Sequence, residues 1–138
     1  DMASPQLERL KRRLNAIPSA VREAVTPALL KSGEELVARQ QALVPVDTGA
    51  LHDSITMTPP GQATPPHSQP GGTTTAGPMQ VLVTAGNTDV RYPHLVEYGT
   101  AAAPAQPYFW PAYRLSKKRI ANRIKRAIGK AVREGWVK

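Results

Sequence analysis

The sequence has no cysteine, which removes both a disulfide framework and a thiolate metal site from consideration. Histidine is scarce, and His52, His67 and His94 are too few and too scattered for zinc-ligand spacing. Long apolar runs are missing, so no stretch has the length a membrane helix needs, and no membrane partner is expected. The charged, amphipathic N-terminus is unlike a secretory signal, and Asp1, which stands ahead of Met2, is set aside. Synthesis in a cytoplasm is the expectation. Acids are nearly missing from the C-terminal segment: from Pro104 to Lys138 there are ten basic residues and one acid, Glu134. Residues 1–103 hold eight basic residues and nine acids, so the formal net charge of +8 belongs to that segment. Such a segment suits an acidic protein partner or nucleic acid. The plainer reading is a solvated helix face.

What is present reads as one domain over residues 2–138. Ser4-Pro5 is a helix start, and Leu7, Leu10, Leu14 and Ile17 recur at helical spacing up to Pro18. A second helix is expected from about Ala20 to Leu43. Its apolar candidates are Val21, Ala24, Val25, Ala28, Leu29, Leu36, Val37 and Leu43, and Pro27 should kink or restart it. Val44-Pro45 ends it. Asp47-Thr48-Gly49 is a turn, with a side-chain acceptor ahead of a glycine free to take positive φ. Leu51 and Ile55 suit one anchoring helical turn before a strand near 55–58.

Residues 58–78 hold six of the fourteen prolines and four glycines, and no charged side chain other than His67. That composition builds no core and predicts a mobile loop. MQVLVTAG (79–86) alternates like a half-buried strand and should pair with the strand near 55–58, making the loop a long hairpin excursion. RYPHLVEYGT (91–100) predicts a short helix ended by Gly99. An extended, aromatic-rich bridge follows, and then a long helix from Pro111 to about Glu134, capped by Gly135. On a wheel Tyr113, Ile120, Ile124, Ala127, Ile128 and Ala131 share one face, and Lys118, Arg119, Arg123, Lys125, Arg126, Lys130 and Arg133 the other. The order predicts an α+β fold: a small antiparallel sheet with a long hairpin-like loop, packed against N-terminal helices and a long basic C-terminal helix. Two strands alone are marginal, so a third is expected from 88–91, from 106–109 or from a neighbouring subunit.

Asp47, His52, Asp53 and Glu97 are the groups a hydrolase would draw on, but catalysis needs a nucleophile with a positioned base or a carboxylate set for a metal. Asp47 and Thr48 have the simpler task of capping backbone amides in their turn. Glu97 is read as the partner of a basic residue or of the Asp47–Gly49 amides. Tyr108, Phe109 and Trp110 could stack on bases, but flanked by Pro107 and Pro111 they suit pinning a loop to the core or to a neighbouring subunit. No catalytic, cofactor-binding or metal-binding residue is assigned, and no cofactor and no enzymatic activity are expected.

Three segments in order carry a resemblance: Pro45-Val46-Asp47-Thr48-Gly49 with Leu51, Ser54 and Ile55; Tyr92 with Val96-Glu97-Tyr98-Gly99-Thr100; and Pro104-Ala105-Gln106-Pro107 with Pro111, ahead of a basic helix. Together they resemble the phage tail-component family named for gene product ten of phage HK97. The resemblance spans residues 36–134 in outline and departs from the family pattern in the length of the proline-rich loop. It implies a structural virion protein of the head–tail neck or upper tail, for tail completion, tail termination or head–tail joining, from a phage, a prophage or a gene transfer agent. It further implies a ring, commonly hexameric, around the DNA channel. Its partners would be further copies of itself, neighbouring neck, head-completion and tail-tube proteins, and DNA in transit. Such a protein is made in the bacterial host cytoplasm and assembled into the virion. On this reading Pro45, Asp47, Thr48, Gly49, Leu51, Tyr92, Glu97, Tyr98, Gly99, Thr100, Gln106 and Pro107 are structural-motif residues. Lys118, Arg119, Arg123, Lys125, Arg126, Lys130 and Arg133 are partner or DNA contacts. A non-specific DNA-binding protein using the basic helix on phosphates is the alternative, although no helix-turn-helix or ribbon motif is visible. A small toxin or metal-free hydrolase would need a convergent polar site, and none is visible.

Overall fold

The computed structural model describes residues 5, 6, 8, 9 and 19–136. The expected first helix therefore lies for the most part outside the described residues. Helix α1 (Ser19–Leu43) is followed by the short α2 (Ala50–Ser54), strands β1 (Thr56–Thr58) and β2 (Leu82–Thr84), the short α3 (Pro93–Tyr98) and the long α4 (Phe109–Ala131). The chain then continues as a wider π-type turn over Val132–Trp136, so Gly135 lies inside that turn and does not cap α4. This is the α+β arrangement the sequence predicts.

The two long helices run antiparallel. Val21 and Val25 near the start of α1 cluster with Ala131 at the end of α4. Mid-way, Ser32 and Glu35 meet Arg123. At the far end Gln40 donates to the Phe109 carbonyl at 3.4 Å. α1 runs through Pro27 without the restart the proline suggested. Pro27 sits on the exposed face, and the Thr26 hydroxyl donates to the Arg22 carbonyl at 3.0 Å. The buried face of α1 differs from its apolar inventory. Ala24 and Leu43 face solvent, whereas Ser32, Gly33 and Gln40 are buried. Small and polar residues serve there because α1 lies against both α4 and the sheet, and the space is narrow.

Gly33 shows how narrow. A Cβ at that position would lie 2.5 Å from the Met57 sulfur on β1 and 2.7 Å from a Val81 methyl just ahead of β2. Gly33→Ala is therefore expected to destabilise by about 1–3 kcal/mol, although alanine is the better helix former. The readout is a lower urea midpoint at unchanged m-value; an unchanged midpoint would mean that helix and sheet separate without cost.

β1 and β2 pair antiparallel, with Thr56 opposite Thr84 and Thr58 opposite Leu82. β2 is shorter than the alternation over 79–86 suggests, because Gly77–Gln80 forms a turn closed by the Gln80 amide and side chain. Among the described residues no third strand comes from 88–91 or 106–109. Isolated pairs from the proline-rich excursion stand in its place: Gln69 pairs with Ala85, and Ala63 with Thr75.

That excursion is a correction to the composition argument, which left residues 58–78 no means of ordering themselves. The Thr64 amide donates to the Thr74 carbonyl, the Ala76 amide to Gln62 and the Gly61 amide to Ala76. The Thr64 and Ser68 hydroxyls both donate to the Gly72 carbonyl, and Thr64, Ser68 and Ala76 are buried. Backbone groups and small hydroxyls do what apolar side chains do elsewhere. Composition is silent on this, because every residue brings the same backbone donor and acceptor.

The main core lies where α2, the sheet and the two helix ends converge. It consists of Val44, Leu51, Ile55, Ala85, Val90 and Tyr108, with Val37, Val96 and Phe109 packed against it. Each fully buried large side chain contributes about 1.5–3 kcal/mol.

Candidate functional site

The turn before α2 forms as its sequence suggests. Gly49 takes φ 86°, and the Thr48 hydroxyl accepts the Ala50 amide at 3.2 Å. Pro45 is half-buried and Leu51 is buried in the core, whereas Asp47 is exposed and accepts no hydrogen bond among the described residues. Thr48 thus accepts an amide of the turn, Asp47 does not, and the N-cap position itself is Gly49. His52 and Asp53 pair with each other at 2.9 Å on the surface, away from any nucleophile–base arrangement.

Glu97 is the organising residue of the second segment. It is 6 % exposed, and its carboxylate accepts the amides of Tyr108 at 2.9 Å, Phe109 at 2.8 Å and Trp110 at 3.3 Å. The partner is thus neither a basic residue nor the Asp47–Gly49 turn. A carboxylate at the first turn of α4 takes up amides that have no partner within the helix and meets the positive end of the helix dipole. Tyr92 precedes the first residue of α3, and Gly99 ends that helix with φ 80°, packed so closely on Ala105 that a Cβ would lie 2.7 Å from the Ala105 nitrogen. The Thr100 hydroxyl accepts the Ala102 and Ala103 amides at 3.1 Å each, and the Gln106 amide donates to the Val96 carbonyl at 2.8 Å. Gln106 and Pro107 are themselves exposed. The second and third segments are therefore one device, a folded-back arm that sets α4 on α3.

Around it lies a groove of about 280 Å³ lined by Gln69, His94, Glu97, Tyr98, Tyr108 and Trp110, among others. Gln69 closes one side by accepting the His94 amide at 3.0 Å. Tyr108 is buried; burial and, after it, the Glu97 carboxylate push its hydroxyl above the usual range, so it stays a neutral donor, to the Pro93 carbonyl at 3.4 Å. The Trp110 indole donates to the Tyr98 hydroxyl at 2.8 Å. The Trp110 and Tyr113 rings meet edge-on, with centroids 6.2 Å apart. Tyr113 is 42 % exposed, contrary to its place on the expected inner face of α4, and so is Ile128. The inner face is rotated toward Ala112, Ser116, Ile120, Arg123 and Ala127, because the Glu97 cap and Gln40 set the helix's starting orientation.

Arg123 is the largest departure on the basic face. Its side chain is 12 % exposed, and it donates to Glu35 and, at 3.2 Å, to the Ser32 hydroxyl. Arg119 adds a contact to Glu35 at 3.2 Å while remaining 64 % exposed. The Arg123 hydrogen bond and the arginines around Glu35 hold its carboxyl below the usual range, against the opposing effect of burial. Lys118, Lys125, Arg126, Lys130 and Arg133 point to solvent as expected. A signal for the buried pair was present in Glu35 itself, an acid beside Leu36 and Val37 in the helix stripe. Nothing in the sequence pointed to Gln69 or to the groove.

Among the described residues there is no cluster of histidines and carboxylates able to hold a metal ion, and no helix is long and apolar enough to cross a membrane. No curated protein and no solved structure matches the chain. A family model, that of the bacteriophage HK97-gp10-like tail component, matches residues 8–99 and so includes the Pro45–Ile55 and Tyr92–Gly99 segments but not the Glu97-bound amides of α4. The match covers well over half of the chain: it belongs to the HK97-gp10-like family of bacteriophage tail components.

Proposed function

We propose that this tail component is a ring-forming structural subunit of the neck or upper tail, of the tail-completion or head–tail-joining kind, and that it is not an enzyme. The observation that carries the reading is the uncharged aromatic patch beside the groove. Tyr98, Trp110 and Tyr113 are exposed and adjoining, and Leu95 is exposed three residues before Tyr98 on α3. Between Tyr92 and Tyr113 the only acid is the buried Glu97, and there is no lysine or arginine. Aromatic side chains held on a rigid frame are the material of interface cores, and a contiguous exposed patch of them marks a protein-binding surface.

A cyclic ring needs two different surfaces that meet head to tail. The aromatic patch supplies one, and the self-bonded hairpin excursion 59–81 is the candidate for the other. Six subunits would surround the channel, between head-completion and tail-tube proteins, with DNA passing through. The free protein is expected to be monomeric or weakly associated and to close into rings on docking. Tyr98→Ser combined with Tyr113→Ser should leave the melting temperature within a few degrees of the parent, on the order of what surface substitutions do, while particles from the variant lack completed tails. Negative-stain images count the tails, and cryo-imaging of intact particles places the subunit. A tight two-fold dimer of the free protein, or full infectivity of the double variant, would overturn the reading. Non-specific DNA binding through the exposed cations of α4 is the second reading; a steep fall of DNA affinity with salt is its signature.

A further inference from the structure

Leu115 is 67 % exposed on α4, and the fold gives no reason for it. The helix buries a different stripe, formed by Ala112, Ser116 and Ala131. Leu115 is instead one wall of a shallow, open depression whose other walls are Lys118, Arg119, Asn122 and Arg126. Positions 115, 118, 122 and 126 succeed one another at helical spacing, so they form one continuous outward stripe. Within it, Arg119 is already engaged with Glu35, while no carboxylate among the described residues pairs with Lys118 or Arg126.

We propose that this stripe is a docking site for an acidic amphipathic segment of a different virion protein, with an apolar side chain of that segment on Leu115 and its carboxylates on Lys118 and Arg126. The proposal rests on the reading of the chain as a particle component, and it assigns the basic face to protein and not to DNA. Charge complementarity selects an acidic occupant, and Leu115 selects among acidic occupants. A phosphate backbone offers hydrogen-bond acceptors and charge but nothing apolar for an exposed leucine, whereas an interface with an apolar centre and a charged rim uses both features. A second copy of this chain fits poorly. Its exposed carboxylates among the described residues are Glu23 and Glu34 on α1, Asp47, Asp53 and Asp89 in separate turns, and Glu134 at the end of the basic helix itself. None of these forms an acidic stripe.

The test uses particles assembled with the full chain carrying a photo-crosslinking residue in place of Leu115. The expected result is a crosslink, identified by mass spectrometry, to an acidic peptide of another virion protein. Lys118→Glu with Arg126→Glu should reduce its yield at least about tenfold, as reversal of facing charges does. Leu115→Ser should lower the yield of completed particles while leaving the affinity of the purified protein for a 30-base-pair duplex unchanged (roughly; duplex binding reads phosphates). A crosslink to DNA, to a second copy of this chain or to nothing would overturn this inference and leave the structural role standing. Absence of the chain from purified particles would overturn both.

Discussion

Replacing Glu97 by alanine is expected to lower the unfolding free energy by about 3–5 kcal/mol: it strips an acceptor from three amides at once, each worth about 1–3 kcal/mol when left unsatisfied away from water, and the amides of half-buried Phe109 and exposed Trp110 regain part of that loss from solvent. The melting temperature should fall by roughly 10–15 °C on the same scale. The cause is specific. The amides of Tyr108, Phe109 and Trp110 begin α4 and have no partner within that helix. The Tyr108 side chain sits in the main core, so fraying at this point loosens the core itself. Glu97→Gln keeps one acceptor oxygen but turns an NH₂ toward a donor, and about half the loss is expected. Hydrogen exchange resolves the mechanism: amides 108–110 should lose protection in Glu97→Ala before the rest of α4 does. If melting temperature and exchange were both unchanged, the carboxylate would not be what seats the helix.

The second large effect is expected at Glu35. Glu35→Ala leaves the Arg123 guanidinium, on a side chain only 12 % exposed, without its counter-charge, for a loss of about 2–4 kcal/mol. Arg119→Ala, at a side chain 64 % exposed, should cost under about 1 kcal/mol. Because Arg123 holds the Glu35 carboxyl below its usual range, the pair stabilises the fold fully above the unfolded-state value, near pH 4–5, and the stabilisation disappears as pH falls through the lowered folded-state value. The stability difference between the parent and Glu35→Gln should therefore be large at pH 7 and vanish in acid. Urea titrations at four or five pH values would check this. A difference that persisted below the folded-state value would place the effect in packing and not in charge. Arg123→Met should partly rescue Glu35→Ala, since removing both charges avoids the unpaired ion.

Glu97 and Arg123 show how far local pattern reaches. Glu97 was legible as a structural acid, because it stands in a short helix that ends in Gly99 and an enzyme would have needed partners that were absent. Its true partners were not legible, since amides at 108–110 and amides at 47–49 are chemically identical. Arg123 failed for a different reason. A helical wheel sorts side chains by polarity, and an arginine is placed outward unless a carboxylate is known to face it from another helix. Tyr113 is the mirror case, an aromatic sorted inward and held outward by the helix's starting orientation.

Legible in the residues alone were the α+β order, the bounds of α1 to within a residue, a hairpin around the proline-rich segment 58–78, the Gly99 stop, the concentration of positive charge in the last helix and the family. All of these rest on local periods, turn chemistry and composition, which act over a few neighbouring residues. It takes the folded chain to show that the proline-rich excursion binds itself through backbone pairs and returns Gln69 to His94, that Glu97 starts α4, that Arg123 turns inward to Glu35, and that Leu115 is left bare among cations. Those outcomes depend on which distant groups meet once the chain has closed on itself. Hydrogen bonds and ion pairs are indifferent to sequence separation, so a local pattern flags at most one partner, as at Glu35, and never the pairing.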